Sequence, residues 1–389
     1  MNGRLILLLR RHLNSCAGGL RTHRAGIACG AGENAATRGG SGDPPRKTCP
    51  SSAVVLLAIV VLVAGAAVAR ADAFPNDEFY FLQWYGPVLG LPTAWGISQG
   101  SPDVKVAILD TGVMVNTPDL AGRLLPALST TGSGPLDGTT DHHGTWVASV
   151  AAMGINNLIG GAGVGNFTIL PITVTDAGGN NQSQWIADGI RLAAAQGARV
   201  INISSQTVDY TLLDAAAADA KAMGALTFVA SGNADRRRAL KAFDNLIFVS
   251  GTDAADQRWV EVPGKEGSTW GPYVDLSAPA DNIVVEDPTF DSGYGLGVGT
   301  SFAAPLAAGA AALLWSIDPA LTPDEVRNIL YNTADDLGTH GWDEVFGWGR
   351  LNIGAAAERA HQMLMPEPAT LALLAAGLLA ASAGRLRRR

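Results

Sequence analysis

The sequence predicts an α/β fold in which a doubly wound, mostly parallel sheet is flanked by helices. Short apolar segments of five to seven residues alternate with longer Ala-rich, amphipathic segments, a pattern typical of parallel strands joined by crossover helices. The predicted strands are Val104–Leu109, Thr168–Val174, Ala198–Ser204, Ala225–Ala230 and Leu246–Ser250. The predicted helices are His143–Met153, Ser183–Gln196, Thr211–Met223, Ser301–Ile317 and Thr322–Asn332. Functional groups of such sheets gather at the carboxyl ends of the strands.

Local signals support the elements in order. The strand that begins at Val104 ends in an Asp-Thr-Gly sequence, whose glycine permits a tight turn. The segment from His143 onward consists of small and apolar residues, as expected of a buried helix. The helix at Ser301 runs into a long apolar stretch, and the helix at Thr322 opens with a Thr-Pro-Asp-Glu capping sequence.

The charge of the chain is unevenly distributed. The formal net charge of the 389 residues is −8, but residues 1–73 carry +6, residues 366–389 carry +3 and residues 74–365 carry −17. A central domain this acidic has no electrostatic reason to bind nucleic acid, and its carboxylates suit solubility or a hard cation. All three cysteines precede residue 50, so a product processed beyond that point has no cysteine nucleophile, thiolate zinc site or disulfide.

The amino-terminal region predicts export. Residues 1–45 form a Gly-, Arg- and Ala-rich extension without periodicity, which a start codon assigned too early would explain. Residues 46–73 are predicted to be a signal peptide, because two basic residues precede a charge-free apolar run that ends at a small-x-small cleavage sequence. A membrane anchor is the alternative interpretation of that run.

Residues 365–389 form a second apolar segment with a basic end. A Pro-Glu-Pro sequence leads into sixteen uncharged residues and a terminal arginine cluster. The run spans about 24 Å, which is short for the ~30 Å hydrocarbon core of a membrane. The order of these features resembles the PEP-CTERM sorting tail, which implies an exosortase-like sorting enzyme, at least transient membrane contact, and a Gram-negative cell envelope, surface or extracellular matrix as destination.

Three motifs carry candidate catalytic residues. Asp110 lies in the Asp-Thr-Gly sequence at a strand end, His143 begins a helix, and Ser301 lies at a helix amino terminus within Gly-Thr-Ser-x-Ala-x-Pro. Free N–H groups at that terminus favour a nearby anion. Asp110 is alternatively a turn residue, or it pairs with Asp291 of a second Asp-Ser-Gly sequence, as in an aspartic peptidase.

The three motifs, in this order within one α/β chain, resemble those of the subtilisin-like serine peptidases. The resemblance implies a peptidase domain over residues 74–364 with a triad of Asp110, His143 and Ser301, in which Asn233 of a Ser-Gly-Asn sequence is the oxyanion donor. It also implies a protein or peptide substrate, signal peptidase as the processing partner, and a secreted endopeptidase that acts through an acyl-enzyme intermediate. We expect a monomer.

A structural calcium ion is the expected cofactor. The Gly-Ile-Asn-Asn-Leu-Ile-Gly-Gly loop after the His143 helix resembles the calcium loop of the same family, although an ordinary Asn-Gly turn is the alternative. On this resemblance the ligands would be the carbonyls of Ile155, Ile159 and Gly161 and the side chains of Asp77, Asp119 and Asn157.

The sequence departs from the family pattern at two places. Family members usually have Ser-Leu-Gly-Gly where this chain has Ser204-Ser205-Gln206-Thr207, and side chains in place of glycines would narrow the ledge that binds extended substrate. In addition, no propeptide separates the predicted cleavage site from Asp77. A binding protein of weak activity on the same fold is therefore the main alternative, and an α/β-hydrolase lacks support because its Gly-x-Ser-x-Gly motif is missing around Ser301.

Overall fold

A computed structural model of the protein describes residues 72–205 and 209–365. The predicted extension, nearly all of the predicted signal peptide and the tail beyond Met365 lie outside the described residues. Gln206 and Thr207 of the altered ledge also lie outside them.

The described residues form one large parallel sheet and two small hairpins. The strands are β1 Lys105–Asp110, β2 Leu128–Ser129, β3 Thr168–Thr173, β4 Val200–Ile203, β5 Leu226–Ala230, β6 Leu246–Thr252, β7 Val260–Val262, β8 Glu266–Gly267, β9 Leu276–Pro279, β10 Ile283–Glu286 and β11 Tyr294–Gly297. Seven of them pair in parallel in the order β2-β3-β1-β4-β5-β6-β9. The antiparallel hairpins are β7-β8 and β10-β11.

Helices cover both faces of the sheet, so its central strands are buried on both sides. The helices are α1 Tyr85–Val88, α2 Leu91–Ile97, α3 His143–Ala152, α4 Ser183–Ala195, α5 Tyr210–Ala222, α6 Thr300–Ile317, α7 Pro323–Asn332 and α8 Ile353–Leu364, and a 3-10 turn spans Tyr80–Leu82. The apolar core on one face includes residues of α3, α6 and α8. The second core, on the opposite face, is built with α4 and α5. This arrangement confirms the predicted doubly wound α/β fold.

The five predicted strands and five predicted helices are present, with ends that differ by one or two residues. The capping box predicted at Thr322 is complete, because its hydroxyl accepts from the Glu325 backbone and the Glu325 carboxylate accepts from the Thr322 backbone. The sequence analysis did not predict β2, β9, the two hairpins, α1, α2 or α8. Most of these elements have only two to four residues, too few for an apolar period to emerge.

Helix α6 runs through the core and carries Ser301 at its amino end. Among the described helices, α6 alone is long and apolar enough to span a membrane, but 83% of it is buried within the protein. Its backbone approaches a neighbouring loop closely at Gly309, where an added Cβ would lie 2.6 Å from the Cβ of Val164. Because this packing leaves so little free space, it fixes the position of the amino end of α6 against the sheet.

Candidate active site

Asp110 and His143 meet at the carboxyl end of β1. Asp110 is the last residue of β1 and is 1% exposed, and His143 is the first residue of α3. The Nδ1 atom of His143 lies 2.8 Å from Oδ1 of Asp110. The same Oδ1 accepts a hydrogen bond from the backbone N–H of Thr111. A carboxylate held in this way fixes both the tautomer and the orientation of the imidazole.

The surroundings of His143 raise its pKa. Burial lowers that pKa, but the charge of Asp110, the hydrogen bond to it and the charge of Asp141 together outweigh burial. The Asp141 carboxylate also accepts the backbone N–H of His143 at 3.0 Å, which fixes the first residue of α3. The site therefore stabilises an imidazolium ion, as a general base must when it accepts a proton.

Asn233 follows β5, and its side-chain amide has a fixed orientation. Its Oδ1 accepts hydrogen bonds from the backbone N–H and the hydroxyl of Thr300, at 2.9 and 2.7 Å. Nδ2 of Asn233 donates to no acceptor among the described residues. Because Thr300 of α6 holds the amide oxygen of Asn233, the Nδ2 hydrogens remain available. They can stabilise a negative charge that develops near Ser301, the residue after Thr300.

Ser301 and Ser204 exchange hydrogen bonds. The Ser301 hydroxyl donates to the Ser204 carbonyl at 3.1 Å, and the Ser204 hydroxyl donates to the Ser301 carbonyl at 2.8 Å. The second bond supplies a donor to the Ser301 carbonyl. In a regular helix that donor would be the backbone N–H four residues later, but this residue is Pro305, which has no N–H. Asn202 in β4 in turn donates to the Ser204 hydroxyl at 3.0 Å. No hydrogen bond joins Ser301 to His143 in the described part of the chain.

The structure thus brings the four predicted residues to one edge of the sheet. Sequence reasoning missed the contributions of Asp141, Thr300 and the Ser204 hydroxyl. The role of the Ser204 hydroxyl could have been predicted in part from Pro305. A proline four residues after Ser301 leaves the Ser301 carbonyl without its helical donor, so another donor is expected. The aspartic peptidase alternative is wrong: Asp291 is exposed between β10 and β11, whereas Asp110 is buried in a parallel sheet.

The predicted calcium loop packs against two acidic side chains. Oδ1 of Asp119 accepts from the Asn157 side-chain amide at 2.6 Å, and the two carboxylate oxygens of Asp77 accept the backbone N–H groups of Asn156 and Asn157. Burial raises the pKa of Asp119 to about 6. Burial likewise raises the pKa of Glu286, whose carboxylate accepts the Asp119 backbone N–H, to about 7.

Comparison with known proteins identifies the class of enzyme. Thermitase from Thermoactinomyces vulgaris is 35% identical to the chain over 289 residues, which cover 73% of this chain and 99% of thermitase. A halolysin-like extracellular serine protease from Natrialba magadii is 33% identical over 296 residues, which cover 72% of this chain and 52% of that protease. The protein is a serine-type endopeptidase, and such enzymes hydrolyse peptide bonds.

The family follows from a direct match. The model of the subtilase family matches residues 101–349, and the chain belongs to this family. The fold agrees: a solved protease structure from Pseudoalteromonas arctica superimposes with a TM-score of 0.62 at 26% identity, covering 74% of this chain and 100% of that one.

The hydrogen bond from Ser204 to α6 can be tested by a double-mutant cycle. We expect Ser204→Ala to destabilise the protein by about 1–3 kcal/mol, because it leaves the Ser301 carbonyl without a donor. In a Pro305→Ala background the helix regains an N–H for that carbonyl, so the same substitution should cost less. The free energy of unfolding in urea, measured for all four proteins, gives the coupling. If Ser204→Ala lowers the free energy of unfolding equally in both backgrounds, Pro305 is not the reason that the Ser301 carbonyl needs Ser204.

The charge of Asp141 should be visible in the titration of His143. Asp141→Asn retains an oxygen that accepts the His143 backbone N–H but removes a negative charge that favours the imidazolium, so the pKa of His143 should fall. NMR titration of the imidazole measures this shift. Asp103→Asn, the same change in an exposed residue at the opposite end of β1, should leave the pKa unchanged. A rise in the pKa of His143 in the Asp141 variant would show that the sign is wrong.

Proposed function

We propose that the protein is a secreted endopeptidase in which Asp110, His143 and Ser301 are the catalytic triad and Asn233 is the oxyanion donor. The observation that carries this proposal is the 2.8 Å contact between a buried carboxylate and an imidazole at the strand edge that also holds Ser301 and Asn233. If the contact served only to neutralise the buried charge of Asp110, then Asp110 and His143 would be sufficient, and Ser301 and Asn233 would not be needed at the same edge.

The reaction follows from the position of each group. His143 accepts the proton of the Ser301 hydroxyl while the oxygen bonds to the scissile carbonyl carbon. His143 then gives that proton to the leaving amine as the peptide C–N bond breaks, which forms the acyl-enzyme. Water, deprotonated by His143, releases the acid and restores Ser301. Asp110 remains ionised and stabilises the imidazolium at each step.

Two donors face the tetrahedral oxyanion. One is the Nδ2 group of Asn233, which its bonds to Thr300 hold in place. The other is the backbone N–H of Ser301, one of the first four N–H groups of α6, which have no helical acceptor. The helix dipole adds to their effect, because its positive end points to the same place.

The Ser301 hydroxyl must exchange its hydrogen bond before attack. In the free enzyme it donates to the Ser204 carbonyl, whereas catalysis requires donation to Nε2 of His143. The hydroxyl must therefore turn away from the Ser204 carbonyl, and catalytic hydrogen bonds commonly tighten only when substrate is present. The Ser204 contact keeps the hydroxyl ordered until then.

The competing function is binding without efficient catalysis, favoured by the altered sequence at Ser205-Gln206-Thr207. A fluorophosphonate probe separates the two functions, since it forms a bond only with an activated serine. We expect the probe to label Ser301 and phenylmethylsulfonyl fluoride to abolish cleavage of denatured casein. Labelling without cleavage of casein would indicate a processing enzyme of narrow specificity, and the absence of both would favour the binding protein.

The oxyanion site predicts a graded loss of activity. Asn233→Ala should lower kcat by about 10²–10³, the magnitude known from subtilisin for loss of one oxyanion donor, with little change in KM. Ser301→Ala should remove activity and labelling together. Steady-state kinetics on a peptide substrate measure both, and Asn233→Ala must still react with the probe for the assignment to hold. An unchanged kcat would remove Asn233 from the mechanism.

A calcium ion fits the loop after α3, where we propose that it stabilises the fold. In the part of the chain that the structure describes, the carbonyl oxygens of Ile155, Ile159 and Gly161 accept no hydrogen bond. Oδ2 of the buried Asp119 has no well-aligned hydrogen bond there, although the Tyr294 hydroxyl is near enough to the carboxylate to lower its pKa. Such oxygen atoms are the ligands that calcium prefers. Asn157 and Asp77 complete the set, since each of their oxygens retains a lone pair.

Chelation should therefore lower the stability of the enzyme. With calcium at about 100 times its dissociation constant, bound metal adds about 2.7 kcal/mol to the free energy of unfolding. Thermal unfolding with calcium and with a chelator measures this difference. We expect Asp119→Asn to lose most of it and Asp103→Asn to retain it. If chelation leaves the midpoint of unfolding unchanged, the loop is an ordinary turn.

The route out of the cell rests on the sequence. The predicted signal peptide at residues 46–73, the predicted sorting tail at 365–389 and the extracellular relative from Natrialba magadii support export across an inner membrane. Signal peptidase and an exosortase-like enzyme would then act on the two ends of the chain.

A further inference from the structure

A closed loop, residues 335–350, lies on the surface between α7 and α8. Backbone hydrogen bonds in both directions between Asp335 and Arg350, each 2.8 Å long, join its two ends. Within the loop, Asp343 and Gly347 pair in the same way at 3.0 Å, and the Asp343 carboxylate accepts three further backbone N–H groups. Surface loops of this length whose ends meet are compact and frequently functional.

The loop carries both exposed tryptophans of the described chain. The sequence has nine tryptophans, all of them among the described residues, and seven are buried or half-buried. The other two are Trp342, which is 39% exposed, and Trp348, which is 45% exposed. A single exposed apolar side chain is ordinary, but two large rings in one closed loop form a patch of the kind that binds a partner.

Both tryptophans are held in place before any partner binds. The indole N–H of Trp342 donates to the Val274 carbonyl at 2.9 Å, and the backbone N–H of Trp348 donates to the carbonyl of the next residue, Asp275, at 2.8 Å. The Trp348 ring also stacks on Tyr331 of α7, with 6.3 Å between the ring centroids and 25° between the planes. Rings that are already ordered lose little conformational entropy when a ligand stacks on them.

The loop is separate from the proposed catalytic groups. Arg350 forms a parallel bridge to Ser277 of β9, and β9 is the last strand of the sheet, so the loop lies along the outer side of that strand. Asp110 ends β1, four strands away. Because neighbouring strands are about 4.8 Å apart, roughly 19 Å of sheet separates β9 from β1. The two tryptophans are therefore not part of the proposed active site.

Two hydrogen-bond acceptors just before Trp342 in the loop are free. Oδ2 of Asp336 accepts from Nδ1 of His340 at 2.6 Å and from the Gly341 backbone N–H at 3.0 Å, whereas Oδ1 accepts no hydrogen bond from any described residue. The His340 side chain is fully exposed. Because its Nδ1–H is donated to Asp336, the neutral ring presents Nε2 as an acceptor. Both atoms suit a ligand that carries hydroxyl donors.

The charges around the rings indicate the class of this ligand. Exposed aromatic rings bind nucleic-acid bases, apolar protein surface or the C–H faces of sugar rings. Nucleic acid is disfavoured, because residues 74–365 carry a net charge of −17. A protein partner is disfavoured as well, because charged side chains are depleted from the centre of protein interfaces, whereas Asp343 and Glu344 directly follow Trp342. A sugar fits both features of the loop, since its C–H groups are attracted to the negative face of an indole and its hydroxyls donate to the free acceptors.

We propose that Trp342 and Trp348, with Asp336 and His340, form a binding surface for a neutral polysaccharide. Two rings on one loop suit a chain of sugar units, and the polymer is neutral because the acidic domain repels anionic chains. This contact holds the protein on a polysaccharide while its proposed active site stays open. The binding surface goes beyond the proposed peptidase function and does not depend on it.

Electrophoresis in native gels that contain a soluble polysaccharide measures this binding, because a protein that binds the polymer migrates more slowly. Separate gels contain hydroxyethylcellulose, galactomannan, dextran or the anionic polymer alginate, and a gel without polymer is the reference. We expect at least one neutral polysaccharide to retard the protein and alginate to have no effect. Unchanged migration in all three neutral polymers would overturn the proposal, as would retardation by alginate alone.

Substitutions in the loop test which residues form the surface. Trp342→Ala and Trp348→Ala should each weaken binding about tenfold, as expected of a tryptophan at the centre of a binding site. Trp348→Tyr keeps a ring and should retain part of the affinity. His340→Ala changes a fully exposed side chain, so it should weaken binding without affecting the fold. Phe81→Ala is the matched control, because it removes a ring that is 69% exposed on another element, the 3-10 turn.

The midpoint of thermal unfolding shows whether a variant has lost only its ligand. If Trp342→Ala or Trp348→Ala lowers this midpoint, His340→Ala and Trp348→Tyr decide instead. Retardation that persists in all loop variants, or that Phe81→Ala reduces as much as they do, would show that the surface is wrong. Sedimentation with phosphatidylcholine vesicles tests the remaining alternative, and tryptophan-dependent binding to vesicles without retardation by any polysaccharide would replace the sugar with a membrane.

The two proposals fail in different ways. If the protein cleaves casein and reacts with the fluorophosphonate but no neutral polysaccharide retards it, only the polysaccharide surface is wrong. If a neutral polysaccharide retards the protein in a tryptophan-dependent way but the protein neither cleaves nor reacts with the probe, only the peptidase function is wrong.

Discussion

The geometry of the site depends on how the amino end of α6 is tied to two neighbouring strands. Asn233, after β5, accepts two hydrogen bonds from Thr300, and Ser204, after β4, exchanges two with Ser301. These bonds hold the first turn of α6, because the N–H groups of Thr300 and Ser301 have no acceptor within the helix and Pro305 removes the helical donor of the Ser301 carbonyl. The same bonds orient the Asn233 amide and the Ser301 hydroxyl, so the contacts that support α6 also position the proposed catalytic groups.

Burial strengthens the interaction between charged groups at the carboxyl edge of the sheet. Asp110 lies in a parallel strand covered on both faces, so its charge acts on His143 with little screening by solvent. Desolvation disfavours the protonated imidazole, but the charge of Asp110, the hydrogen bond to its carboxylate and the charge of Asp141 together outweigh it, so the pKa of His143 is raised. In the proposed mechanism this arrangement matches the charge distribution of the transition state, so little reorganisation is required when the proton moves.

Much of this arrangement could be predicted from the sequence, for a physical reason. Strands such as β1 and β4 are largely apolar, and helices such as α3 and α6 consist mainly of small and apolar residues, so composition separates them from their turns. The residues of the proposed triad and Asn233 lie in short motifs at the ends of such elements, where a parallel sheet brings them together. The hairpin strands have only two to four residues, too few for a period to emerge, whereas α8 has an amphipathic pattern and an Asn352 cap that the sequence analysis did not use.

Side-chain interactions between segments that are distant in the sequence were the other feature that could not be predicted. The exchange of bonds between Ser204 and Ser301 joins residues 97 positions apart, and a single sequence has no marker for such a pair apart from the proline.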